Sequence, residues 1–159
     1  MTRASYKSLA EAAARQVREV DPWDLPELLK RRPETLILDV RERSEFDAAH
    51  IKGALNVPRG SLEAACEWDY FETEPELVEA RKRPVVVVCR SGHRSALAAL
   101  VMGLIGYEEV YSLRLGIKGW NDSDLPLVDG RGLAVDADDA QHVLEPRIPR
   151  EQLDPARKR

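Results

Sequence analysis

Cysteine is scarce in this chain of 159 residues: there are two, Cys66 and Cys89. They form no CxxC pair and stand at no metal-ligand spacing from a histidine, which argues against a zinc module and a dithiol redox motif. Charge of one sign is also missing. The formal net charge is -4 with acidic and basic residues interspersed, so no basic stripe exists for a nucleic-acid backbone to follow. Long apolar runs are absent too. The most apolar helical stretch, 96–106, is too short to cross a bilayer, and the opening MTRASYKSLAEAAARQVREVD has no apolar region of a signal peptide. A cytoplasmic protein with both thiols reduced is the expectation, without nucleic-acid or membrane partners.

What the chain does have is a core. Hydrophobic residues make up 43% of it, enough for one globular domain with tails. Residues 1–20 read as a helix with Ser8 and Glu11 at capping-box spacing and a stripe of Leu9, Ala13, Val17 and Val20. A second helix starts near Asp24, which tolerates Pro26 in its first turn, and runs to about Arg32. The run 35–40 (TLILDV) is β-rich, and 85–89 (VVVVC) is apolar on both alternating faces, as a parallel strand covered by helices on both sides must be. Asn56, Val57 and Pro58 end a shorter strand. A helix over 96–104, stopped by Gly103 and Gly106, a strand over Glu109–Leu113 and a helix over Gly116–Asp122 follow. The alternation predicts an α/β fold with a parallel sheet and right-handed crossovers. The organisation read from this is an N-terminal helix (1–20), a central domain (21–129) and a C-terminal extension (130–159). The extension holds six acidic and six basic residues and either wraps the domain or stays mobile.

Chemistry concentrates in Cys89-Arg90-Ser91-Gly92-His93-Arg94-Ser95. A buried strand delivers Cys89 to its C-terminal end, the ligand side of an open α/β sheet. The small and cationic residues that follow lead into a helix, so backbone N–H groups can converge on one anion. Ser95 is positioned to cap that helix. A helix N-terminus and arginine side chains favour a thiolate, which makes Cys89 the candidate nucleophile. Arg90, and after it Arg94, are the candidate contacts for an anionic substrate, and Gly92 allows a tight turn. His93 either positions substrate or is an exposed loop histidine.

These residues resemble the active-site loop of the rhodanese family in its single-domain form. Leu38-Asp39-Val40-Arg41, the run His50-Ile51-Lys52-Gly53-Ala54-Leu55-Asn56-Val57-Pro58 after Glu45-Phe46, and Gly116-Ile117-Lys118-Gly119-Trp120 before Leu125-Pro126 resemble its other signatures, in order, over roughly 20–129. Two positions depart from the family's glycines: Ala49 before the histidine, and Leu115 in the closing motif. The resemblance implies a five-stranded parallel sheet flanked by helices on both faces. It also implies sulfur transfer by double displacement through a Cys89 persulfide, with thiosulfate or another persulfide donor, a thiol or cyanide acceptor, and no cofactor. Ser91, Gly92, His93 and Ser95 would line the donor site with the two arginines.

Asp39 and Arg41 read either as a brace for the loop or as a solvated pair; Glu45, His50 and Trp120 read as structural. A cysteine phosphatase or arsenate reductase is the rival chemistry, but tyrosine-phosphatase loops have Cys-x5-Arg, and here Arg94 makes Cys-x4-Arg. The other alternative is a sulfur-carrier or protein-interaction module in a sulfur relay. The segment 60–80 carries seven acidic residues, no basic one, and Trp68, Tyr70 and Phe71. It either docks a basic acceptor protein or is a solvated loop. Cys66, within it, reads as inert.

Overall fold

Four consecutive valines decide where the middle of the sheet lies. In the computed structural model, which describes residues 3–157, Pro84–Val88 (β4) is buried at every position. Val85 and Val87 enter one apolar cluster, and Val86 and Val88 enter another on the opposite face. A strand covered on both sides has no use for the polar alternation of a half-exposed one. Around it, Leu36–Asp39 (β2), Leu55–Asn56 (β3), Glu109–Leu113 (β5) and Arg18–Val20 (β1) complete a five-stranded sheet in the order β1-β5-β4-β2-β3. Every pairing in it is parallel. The chain winds outward through β2 and β3 on one side and through β4 and β5 on the other. The crevice at the C-terminal ends of β2 and β4 is therefore the topological switch point where open α/β sheets bind ligands.

One face of the sheet is covered by Leu62–Ala65 (α4), Pro75–Glu79 (α5) and His93–Leu104 (α6) through Leu62, Leu77, Ala98 and Met102. The other is covered by Leu25–Arg31 (α2), Gly116–Asp122 (α7) and Ala137–Leu144 (α8) through Leu25, Ile117, Trp120 and Leu144. Tyr6–Ala14 (α1) packs its buried Ala13 against Ala96 and Leu97 of α6. Trp120 is a core residue whose indole donates to the Pro126 carbonyl at 2.9 Å.

Several elements differ from the sequence reading. The helix expected over 1–20 ends at Ala14, and residues 18–20 are instead the edge strand β1, hydrogen-bonded to β5; positions 1 and 2 lie outside the described residues. The capping box at its start is Ser5 with Ser8, not Ser8 with Glu11. Asp24 precedes α2 without a side-chain cap. Residues Arg43–Ala48 form a further helix (α3). Gly103 lies inside α6, since an exposed glycine costs a helix only about 1 kcal/mol.

The C-terminal extension wraps the domain. Leu127–Val128 (β6) pairs antiparallel with Ala134–Val135 (β7), and β6 also bridges His50. Helix α8 then buries Ala140 and Leu144; positions 158 and 159 lie outside the described residues. The acidic segment has its loop between α4 and α5. Glu67 there pairs with Arg81, which precedes β4, so the loop sits toward the end of the sheet opposite Cys89. Among the described residues no helix is long and apolar enough to cross a membrane.

Asp39 and Arg41 are almost wholly buried and form a brace. Arg41 donates from Nε to Asp39 Oδ1 at 3.0 Å and from Nη2 to Oδ2 at 2.8 Å, and Nη2 also donates to the Ala49 carbonyl at 2.7 Å. The Asn56 amide group bonds the carbonyls of both residues at 3.0 Å. Ala49 is extended, at φ -164, so the missing glycine before His50 asks nothing unusual of the backbone. Removing one member of a buried ion pair leaves the other charge uncompensated, at a cost of about 3–5 kcal/mol. Arg41→Met is therefore expected to lose that much in urea unfolding, and a loss below about 1 kcal/mol would show that the pair does not hold this turn.

Candidate active site

The Val88 carbonyl still takes part in the sheet, accepting from Val40 N–H at 3.0 Å; Cys89 is the first residue beyond β4. Its side chain turns to the face covered by α6 and is 1% exposed. Between Cys89 and α6 the chain must reverse within three residues. Gly92 does this at φ 98, in the left-handed region, and immediately precedes the helix. Ser95 is thus inside the first turn of α6 and not its cap.

That placement brings amide groups to sulfur. Gly92 N–H donates to Cys89 Sγ at 3.1 Å and Ser95 N–H donates at 3.3 Å. The Ser95 hydroxyl lies 3.4 Å from Sγ and 2.8 Å from the hydroxyl of Ser112 on β5. Both serines are buried. With sulfur as an anion, the Ser95 hydroxyl can donate to Sγ while Ser112 donates to Ser95. Negative charge on sulfur thus meets two N–H groups and a hydroxyl chain already in place. Sequence reasoning missed Ser112, because nothing local marks a serine in the strand EVYSL as a neighbour of residue 95.

The loop is held open from behind. Helix α7 points its N-terminal N–H groups at the loop's carbonyls: Ile117 N–H donates to the Cys89 carbonyl at 2.8 Å, and Lys118 N–H to that of Arg90 at 3.0 Å. These bonds draw two carbonyl oxygens into α7 and away from the space above Sγ. The approach requires a glycine. A Cβ on Gly116 would stand 2.4 Å from the Arg90 carbonyl oxygen and 2.5 Å from that of Cys89. Leu115, the departure from the family's glycine, adopts φ 66 nonetheless. That conformation costs a non-glycine residue roughly 1–2 kcal/mol, and the bonds of α7 to the loop hold it there.

The two loop arginines divide. Arg94 is clamped by Glu45 of α3, with Nη1 2.8 Å from Oε2 and Nη2 2.9 Å from Oε1. Its guanidinium hydrogen bonds hold the Glu45 carboxyl below its ordinary value, and the same bonds raise the arginine. Arg94 thus joins α6 to α3 and does not stand free for a substrate. Arg90, half-buried, makes no side-chain hydrogen bond or ion pair among the described residues and borders a cleft with residues that follow α8. Ser91 is exposed at the tip of the loop. His93 packs edge-on against Tyr6 with ring centroids 5.5 Å apart. Asp39 and Arg41 stand behind the crevice and, among the described residues, make no hydrogen bond to the Cys89 sulfur; their part is to fix the β2–α3 turn. His50 bonds the Phe46 carbonyl at 2.7 Å and stacks on the Phe46 ring. Cys66 is buried and unbridged, and burial pushes its thiol up, which suits an inert residue.

A buried thiol at a sheet switch point, ringed by amide donors and held by a second helix, defines a cysteine-nucleophile α/β domain. Residues 23–123 match the rhodanese-like domain; the chain belongs to the rhodanese family. It is 32% identical over 90 residues to the thiosulfate sulfurtransferase GlpE of Tolumonas auensis, covering 55% of this chain and 74% of that protein. Among solved structures it resembles a Rhodopseudomonas palustris protein described as a "Possible Tyrosine Phosphatase", with TM-score 0.71 and 25% identity over 80% of this chain and 96% of that one. It also resembles the human single-domain sulfurtransferase TSTD1, with TM-score 0.57 and 26% identity over 67% and 96% of the two chains.

Gly116→Ala should displace the loop, leaving the protein folded by circular dichroism but cutting alkylation of Cys89 by iodoacetamide or lowering thermal stability; a variant unchanged in both would show that α7 does not set the loop. The Glu45–Arg94 pair should contribute above the carboxyl's ordinary value of 4.5 and fade as pH falls through its lower folded value. A double-mutant cycle with Glu45→Gln and Arg94→Gln is expected to give a coupling of about 1 kcal/mol at pH 7 that shrinks toward pH 3. A coupling independent of pH would mean the pair is not ionic.

Proposed function

We propose that this protein is a thiosulfate sulfurtransferase that works through a Cys89 persulfide. The observation that carries this reading is the Cys89 sulfur itself, held by the amides of Gly92 and Ser95 just beyond the C-terminal end of β4. The Cys89 thiolate attacks the outer sulfur of thiosulfate. The donor's S–S bond breaks, sulfite leaves with the bonding pair, and Cys89 carries the extra sulfur as a persulfide anion. The donor amides and the Ser95 hydroxyl suit the charge in both states. An acceptor thiolate or cyanide then attacks the outer sulfur, and Cys89 leaves as the thiolate it was. Arg90 meets the anionic donor. Two free thiols suit a reducing compartment, and the reading puts the reaction in the cytoplasm.

The relative described as a phosphatase prompts the comparison with phosphoryl transfer. A phosphatase loop needs an arginine facing its anion. Here the arginine that would do so, Arg94, is one residue early and engaged at both nitrogens by Glu45. That counts against phosphoryl transfer.

The deciding experiment is intact-mass measurement after incubation with thiosulfate. The native chain is expected to gain one sulfur atom that cyanide removes, and Cys89→Ser to gain none while keeping its fold. Loading of the serine variant, or no loading alongside hydrolysis of a phosphate ester, would overturn the reading.

A further inference from the structure

The loop between α4 and α5 is tied at several points yet leaves its aromatic side chains in water. The Thr73 hydroxyl donates to the Glu67 carbonyl at 2.6 Å and accepts from the Tyr70 N–H at 3.0 Å. Glu74 N–H donates to the Ala65 carbonyl at 3.0 Å, and Asp69 takes a left-handed turn at φ 70. Held this way, the loop leaves Trp68 51% exposed, Tyr70 57% exposed and Phe71 wholly exposed. Solvation accounts for the carboxylates of this segment but not for three rings on its surface, because aromatic carbon in water forgoes the stabilisation that burial gives. Exposed apolar surface of this kind marks a contact with another molecule.

Beside the loop lies a groove of about 330 Å³ lined by Glu63, Ala64, Glu67, Tyr70 and Ile105. Leu104, the last residue of α6, precedes Ile105 and is exposed as well. Glu67 is engaged by Arg81 and Glu76 by Arg83. Glu63, Asp69, Glu72 and Glu79 are exposed and make no ion pair among the described residues. Carboxylates around aromatic rings repel a nucleic-acid backbone and an anionic membrane surface. They attract lysine and arginine, whose aliphatic stems can lie on Tyr70 and Ile105 while the charged head meets Glu63. A small cation would satisfy the carboxylates and leave Trp68, Phe71 and Leu104 uncovered. A polypeptide that sets apolar side chains among its cations covers both.

We propose that the α4–α5 loop and the end of α6 form a docking surface for a basic segment of a partner protein, one that carries apolar side chains between its lysines or arginines. The loop stands toward the end of the sheet opposite Cys89, so a partner docked there leaves the active-site loop open. The proposal stands independently of the sulfur-transfer reading.

The probe is a short fluorescein-labelled peptide made of lysine and leucine, followed by fluorescence anisotropy. It is titrated into the native chain, into Trp68→Ser/Phe71→Ser and into Glu63→Gln/Asp69→Asn/Glu72→Gln. Two control peptides carry serine for every leucine or glutamate for every lysine. Saturable binding to the native chain is expected, weakened about fivefold or more in each variant and for each control peptide. All five substituted residues are exposed, so both variants should keep the native circular dichroism. No binding, equal binding to the native chain and the variants, or equal binding of the lysine–serine peptide overturns the proposal. Saturating peptide should leave alkylation of Cys89 by iodoacetamide unchanged; protection of Cys89 would put the peptide over the active site and overturn it too. In sedimentation velocity the native chain and Trp68→Ser/Phe71→Ser are expected to behave alike. Self-association of the native chain that this variant abolishes would make the occupant a second copy and not a basic partner.

Discussion

Two hydrogen bonds from the first turn of α7 to the carbonyls of Cys89 and Arg90 organise the rest of the site. A loop that must present N–H groups to sulfur has to send its carbonyls elsewhere, since each peptide carries both. Helix N-termini have unpaired N–H groups to give, and α7 uses its own to take those carbonyls. The exchange satisfies both elements at once. It also explains the glycine at 116, where a Cβ would collide with backbone, and the left-handed Leu115 beside it, whose strain of roughly 1–2 kcal/mol is matched by the two bonds it permits, each worth about 1 kcal/mol.

Much of the fold was legible because the central strand is extreme. Four valines followed by cysteine can be buried on both faces only in a covered parallel sheet, and the strands at 35–40 and Glu109–Leu113 then fall into place by alternation. The edge strand was not legible. Arg-Glu-Val at 18–20 has no apolar alternation and is largely exposed; it becomes a strand only because β5 offers it a ladder some ninety residues later in the chain. Helix α3 is short and mostly polar, and its start rests on Glu42 and Glu45 rather than on a serine or threonine cap.

The site divides along the same line. Cys89, Gly92 and the strand-to-helix turn are local, so sequence pattern reaches them. The role of Ser95 is not local: its position in the first turn follows from Gly92's dihedral angle, and its hydroxyl partner Ser112 comes from the next strand. Arg94 and Glu45 are 49 positions apart, and no spacing rule joins them. The buried pair of Asp39 and Arg41, although only two residues apart, left its environment open until burial decided that it braces the turn and does not sit in solvent.

The two arginines of one short loop show how packing assigns different work to the same side chain. Arg94 lies on α6 and faces α3, where a carboxylate meets its planar fork with two bonds, the geometry that most restricts a guanidinium. Its charge is largely neutralised there, so it stiffens the crevice more than it attracts an anion. Arg90 comes before the turn, its carbonyl fixed by α7 and its side chain turned toward the C-terminal extension. It makes no ion pair among the described residues, and Glu145, which lines the same cleft, is held by Lys118. The loop's unpaired positive charge thus lies on the side of the extension and its paired one on the side of α3.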